Sequence, residues 1–205
     1  MKTTMLALAS VLCATGNSFP ARQFDRARKF YYQGADGDKR AYEQASELFG
    51  DLRKECPNEP KIEAYYGSLR LLAAADTWAV WRKNSLSKEG IRLMDSAVAA
   101  SPADLDIRFV RAITTYNLPS FFHRKAQSQQ DFEYLASRAA AAVKQGQLEP
   151  RLAAASLYYH GEFLREELRT DQAVHAWNEA IALAPGSRAA HEATAALARM
   201  KQPDR

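Results

Sequence analysis

The chain has 205 residues, 47% of them hydrophobic, which suffices for one sizeable core and is short for two independent domains. Its formal charge of +4 arises from 28 Lys and Arg interleaved with 24 Asp and Glu, a mixed solvated surface that excludes the basic stripe of a nucleic-acid binder. Alanine is abundant, Val and Ile are scarce, and alternating apolar runs are few, so an all-α chain is expected.

At the N-terminus, Lys2 precedes an apolar run from Met5 to Ala14, and Ala14-Thr15-Gly16 offers small residues for cleavage. Residues 1–16 therefore read as a signal peptide, since a permanent span needs roughly 20 apolar residues. The expectation is an exported, periplasmic protein comprising one helical domain over 17–205 with no transmembrane span. Two alternatives stay open: a lipid anchor at Cys13, or a cytoplasmic chain whose first segment is a buried amphipathic helix. Leu12 before Cys13 and Ser10 two places further back do not suit a lipid-attachment motif. Cleavage after Gly16 would leave Cys56 as the mature chain's one cysteine, expected to be a lone buried thiol.

Apolar spacing predicts helices over 22–33, 39–55, 60–81, 87–100, 104–117, 125–144, 149–168, 170–183 and 187–200. Gly34-Ala35-Asp36-Gly37-Asp38 is a turn between the first two, because glycine and aspartate tolerate the backbone angles that end one helix and start the next. Pro57, Pro102, Pro150 and Pro185 each fall near the end of an apolar stretch and divide the chain into units. Before three of them the same intervals of four, three and five recur: Ala45, Phe49, Leu52, Pro57; Gly90, Met94, Ala97, Pro102; Ala173, Trp177, Ala180, Pro185. Such offsets put a small residue, a large one and another of modest size on one helix face, where a neighbouring helix can approach closely.

Together with Leu157 and Gly161, this pattern resembles the tetratricopeptide repeat, most closely in the last unit. The resemblance implies antiparallel helix pairs stacked as a right-handed solenoid. It also implies a concave, partner-binding face lined by the first helix of each pair. Gly67 takes the place of Gly161 in an earlier unit, but Gly67 lies 23 residues before Gly90 whereas Gly161 lies 12 before Ala173, so an insertion of 11 residues is expected around Asp76–Leu86. That stretch places Trp78 and Trp81 three apart on one helix face, either as an aromatic anchor for a partner or, the preferred reading, packed on their own neighbours. Residues 103–150 fit the pattern least. Leu118-Pro119-Ser120-Phe121-Phe122 interrupts them, no Gly or Ala trio falls in register, and Phe121 and Phe122 either tuck under the loop or present a patch. The last helix, with His191, reads as a polar cap on the stack.

No catalytic constellation emerges. His123, His160, His175 and His191 are dispersed without metal-ligand spacing, and no glycine-rich phosphate loop is present, so neither metal nor cofactor is expected. Glu162, Glu166 and Glu167 accompany Arg165 and Arg169 as helix-surface ion pairs rather than an acid–base pair. Arg108, Arg111, Arg124 and Lys125, the mildest of basic clusters, are expected on the ordinary surface. The chain thus reads as a non-enzymatic scaffold for a protein or peptide partner. If the stack is tetratricopeptide-like, Tyr158, Glu162 and Arg165 face its groove. Tyr158 and Glu162 stand where chaperone-tail binders of that family carry lysine and asparagine, which disfavours that ligand. The alternative is a structural or assembly role through Trp78, Trp81, Phe121 and Phe122.

Overall fold

The computed structural model describes residues 19–200; the leader expected over 1–16, with Cys13, lies outside the described residues. Among these residues the chain is helical without strands: α1 (Ala21–Ala35), α2 (Lys39–Glu55), α3 (Pro60–Asp76), α4 (Val80–Ala100), α5 (Leu105–Tyr116), a single 3-10 turn (Ser120–Phe122), α6 (Lys125–Ala136), α7 (Ala139–Lys144), α8 (Pro150–Glu166), α9 (Thr170–Leu183) and α10 (Arg188–Met200). No described helix is long and apolar enough to cross a membrane.

Local chemistry sets the helix ends. Asp38 caps α2 by accepting from the backbone N–H of Arg40 and Ala41 at 2.9 and 3.1 Å, and Asp104 caps α5 in the same way through Asp106 and Ile107 at 3.0 and 3.1 Å. Pro57, Pro102 and Pro185 each come two positions after the last helical residue, Glu55, Ala100 and Leu183. Pro150 departs from that pattern and opens α8, because at the first helical position its missing N–H costs nothing. The helix expected over 125–144 is broken at Ser137 and Arg138. The carbonyl of Tyr134, which a continuous helix would offer to the Arg138 N–H, accepts instead from Ser137 Oγ at 3.0 Å and Arg138 Nη1 at 3.1 Å. The Arg138 N–H turns to Leu135 O.

The chain divides into two compact units, the first ending at Ser101 and the second beginning at Pro102. In the first unit each helix runs antiparallel to the next, as paired residues show: Gly34 meets Tyr42, Phe49 stacks on Tyr65, and Gly67 meets Gly90. The core between α1, α2 and α3 is aromatic, with Phe24, Phe49 and Tyr65 in mutual contact at 5.1 to 5.8 Å between ring centres. Tyr31 and Ser68 share a buried hydroxyl hydrogen bond of 2.8 Å. Cys56 is buried, but it is disulfide-bonded, which corrects the expectation of a lone thiol.

At the crossing of α3 and α4 the backbones themselves touch. A Cβ added to Gly90 would lie 2.5 Å from Gly67 O, and one added to Gly67 would lie 2.8 Å from Gly90 O and 3.1 Å from Met94 Cγ. Beyond this crossing the hairpin is lengthened. Asp76 follows Gly67 by nine residues where Glu166 follows Gly161 by five, and Val80 precedes Gly90 by ten where Thr170 precedes Ala173 by three. The connectors, 77–79 and 167–169, are equally short. The 11 extra residues thus extend one hairpin, four on α3 and seven on α4, and add no separate loop. At about 1.5 Å per residue the hairpin reaches on the order of 6–10 Å further from its crossing. The helix expected over 60–81 ends at Asp76, so Trp78 stands in the connector and Trp81 in the first turn of α4. The two do not share a helix face.

In the second unit α8 and α9 form the tightest pair. A Cβ on Gly161 would sit 2.5 Å from Trp177 Nε1, so the indole occupies the room that a side chain would take. Trp177, Ala173 and Ala180 are fully buried. α5 and α6 repeat the theme in a form that the sequence disguises. Ser128, Phe132 and Leu135, again four and three apart, are fully buried, and Ser128 Oγ donates to Ala112 O at 2.9 Å. Serine fills the small-residue position, and Ala112 fills that of Gly67 and Gly161.

Candidate functional site

Tyr158, Glu162 and Arg165 are brought together on α8. Trp177 reaches this stripe through the gap at Gly161, and its indole N–H donates to Tyr158 O at 3.2 Å, tying the backbone of α8 to α9. Around Tyr158 lie two further phenols that the sequence reading did not single out. Tyr159 is 5.0 Å from Tyr158, and Tyr116, at the end of α5, is 4.7 Å from Tyr159. Phe132 stacks beneath Tyr159 at 5.0 Å and Phe163 packs edge-on against Tyr116 at 5.5 Å, so the three rings stand on a rigid apolar floor.

Glu162 is the polar centre of this cluster. It is 9% exposed; its Oε2 pairs with Arg165 Nη2 at 3.2 Å, and its buried Oε1 accepts no hydrogen bond. Burial pushes the Tyr158 phenol up to about 12, with the neighbouring Glu162 carboxylate adding to the shift. Tyr116 and Tyr159 are raised by burial too, and Glu162 contributes to both. At neutral pH the three phenols are therefore protonated, and they lie beside the buried, unpaired Glu162 Oε1. α10 borders the cluster through Glu192, whose charge acts on Tyr158 and Tyr159 and which pairs with Arg188 at 3.8 Å. Of the flanking acids, Glu167 pairs with Arg169 at 3.1 Å as expected, whereas Glu166 pairs with Lys125 of α6 at 2.6 Å. His160, half-buried on α8, has its pKa lowered by burial, and its Nδ1 is buried without a partner.

The aromatic pairs lie elsewhere. Trp78 and Trp81 are 88% and 74% exposed and touch edge to face at 6.3 Å, which corrects the reading of a packed pair. At the tip of a lengthened hairpin, they are left uncovered by the described residues of their own unit. Phe121 is 70% exposed and Phe122 half-buried, with ring centres 4.5 Å apart on the 3-10 turn, so Phe121 is no lid on the core.

Arg108 and Arg111 are not ordinary surface. Both are largely buried around Asp131, which is 1% exposed. Arg108 Nη1 donates to Oδ1 at 2.7 Å, Arg111 Nε to Oδ2 at 2.8 Å and Arg111 Nη2 to Oδ1 at 2.9 Å. Arg108 also lies over the Tyr134 ring at 4.1 Å and donates to Pro102 O at 2.6 Å. With both carboxylate oxygens occupied, this cluster joins α5 to α6 and offers no open coordination. Lys125, by contrast, is exposed as expected. Among the described residues no three His, Cys, Asp or Glu are grouped to hold a metal ion.

Neither a protein-family model, a curated protein nor a solved structure matches the chain.

Proposed function

We propose that the protein is a non-enzymatic binding scaffold of the tetratricopeptide type, exported to the cell envelope, which holds a peptide or partner helix against the Tyr158, Glu162 and Arg165 stripe. The repeat reading is supported by three helix pairs that each set a small residue, Gly67, Ala112 or Gly161, against a buried trio spaced four and three. The binding reading rests on one observation, the buried Glu162 Oε1 without a donor amid three tyrosines. A buried acceptor left unpaired costs about 1–3 kcal/mol, and a partner's N–H that reached it as the neighbouring side chains shift would recover that cost. Tyrosine and arginine around it supply contact area and directed hydrogen bonds.

A second reading, assembly through the aromatic insertions, is favoured by the exposure of Trp78, Trp81 and Phe121. Affinity capture of the crosslinked full-length protein from its native compartment separates the two. Under the first, Tyr158→Ala with Arg165→Ala abolishes recovery of the partner while Trp78→Ala with Trp81→Ala leaves it unchanged. The reverse outcome transfers the function to the insertions. Sequencing the mature N-terminus in the same sample tests export: a start near Asn17 is expected, in which case Cys56 has no second cysteine in its own chain to pair with.

A further inference from the structure

The α3–α4 tip has no explanation in the binding stripe. Residues 80–85, the first six of α4, are exposed on every side, so this helical turn and a half buries no face. It nevertheless carries Val80 and Trp81, 75% and 74% exposed, directly beside the still more exposed Trp78. A helix end that buries nothing ordinarily carries polar residues. Here the apolar groups instead form a contiguous cap on a protruding hairpin.

The charges next to that cap have one sign. Between positions 76 and 88 stand Arg82, Lys83 and Lys88 against the single acid Asp76, a net of +2. All four are exposed, and Arg82 and Lys83 make no ion pair among the described residues. Nearer the crossing of the same hairpin, Arg70 is paired with Glu89 at 2.8 Å. Tryptophan with one apolar body and one polar edge settles at the headgroup level of a bilayer, and lysine and arginine beside it meet lipid phosphates. A protein partner fits less well, because lysine is depleted from protein interfaces and a convex tip offers little enclosed area. The comparison with Phe121 and Phe122 sharpens the point, since the adjacent Lys125 is already committed to Glu166. No described helix can span the membrane, so contact would be peripheral.

We propose that the tip of the α3–α4 hairpin docks on the surface of an anionic lipid bilayer, with Trp78 and Trp81 at headgroup level and Arg82 and Lys83 against lipid phosphates. The docking is independent of the stripe on α8.

The test is flotation of the full-length protein with vesicles of phosphatidylcholine alone or mixed with phosphatidylglycerol, combined with tryptophan quenching by brominated acyl chains. Of the chain's three tryptophans, Trp177 is fully buried and supplies an unquenched reference. The expected result is flotation with mixed vesicles and partial quenching. Trp78→Ala with Trp81→Ala should lower partitioning by about tenfold or more, Arg82→Ala with Lys83→Ala by roughly 30-fold, and added salt should weaken it. Phe121→Ala should bind as the parent does. Protein that stays unfloated with anionic vesicles overturns the proposal, as does undiminished flotation of the tryptophan variant with its helical circular dichroism intact. A photo-crosslinker at position 81 distinguishes the occupants in native membranes: lipid adducts support the proposal, and protein adducts alone overturn it.

Discussion

Asp131 is satisfied entirely by groups 4 to 23 positions away in the chain, Gln127, Arg111 and Arg108. Removing its charge leaves two guanidinium groups buried without a counter-ion, so Asp131→Asn should lower unfolding stability by about 3–5 kcal/mol in denaturant titration. Replacing all three of Arg108, Arg111 and Asp131 by apolar residues of similar volume should recover most of that loss, because the penalty comes from the orphaned charges. His160 makes a pH-dependent contribution. Burial holds its folded pKa below the usual 6.5, so the unfolded chain takes up the proton first as pH falls. The associated stability is complete above pH 6.5 and is lost as pH falls through the lowered folded value. His160→Gln should flatten this acid limb in melting curves taken across that range. Neither arrangement was legible in the sequence. Arg108 and Arg111 read as a small basic surface cluster because their partner is on another helix, and burial of His160 and Glu162 depends on neighbours that no local pattern names.

Helices and their ends were far more legible. Capping aspartates and the prolines two positions past each stop act within a few residues, and the expected boundaries near 39, 55, 100, 170, 183 and 200 stand where the structure has them. The reading failed where side chains compete with the backbone or where tertiary packing decides. Ser137 and Arg138 capture one carbonyl and break the helix expected over 125–144, and Ser128 carries the small-residue role that glycine and alanine have elsewhere. The insertion of 11 residues was correctly counted from glycine spacing, yet its form as a longer hairpin with Trp78 in the connector required the structure. The close approach of paired helices makes substitution of their glycines costly. Gly161→Ala drives a methyl into the Trp177 indole, which is fully buried and held by the Tyr158 carbonyl, and should cost about 1–3 kcal/mol of unfolding stability. Gly186→Ala, with open space around it, serves as the neutral comparison in the same thermal melts.

At the scale of the molecule, two compact helical units each carry one feature that their own packing does not explain. In the first it is the aromatic, basic tip of α3 and α4; in the second it is the tyrosine-ringed Glu162. The resemblance to the repeat and a spacing of four and three singled out Tyr158, Glu162 and Arg165, and the structure adds Tyr159 beside them and Tyr116 from the end of α5. The buried open oxygen was invisible beforehand, since burial of a glutamate runs against its usual exposure. Partner capture on α8 turns on that oxygen. The most direct measurement places a photo-crosslinking residue at Glu166, one turn beyond Glu162 on α8, and at Asn178, exposed on α9, in the full-length protein in its native compartment. The account predicts a discrete protein adduct from position 166, lost on Glu162→Gln or Tyr158→Ala, and none from position 178. Equal adducts from both positions, or an adduct from 166 that survives both substitutions, would contradict it.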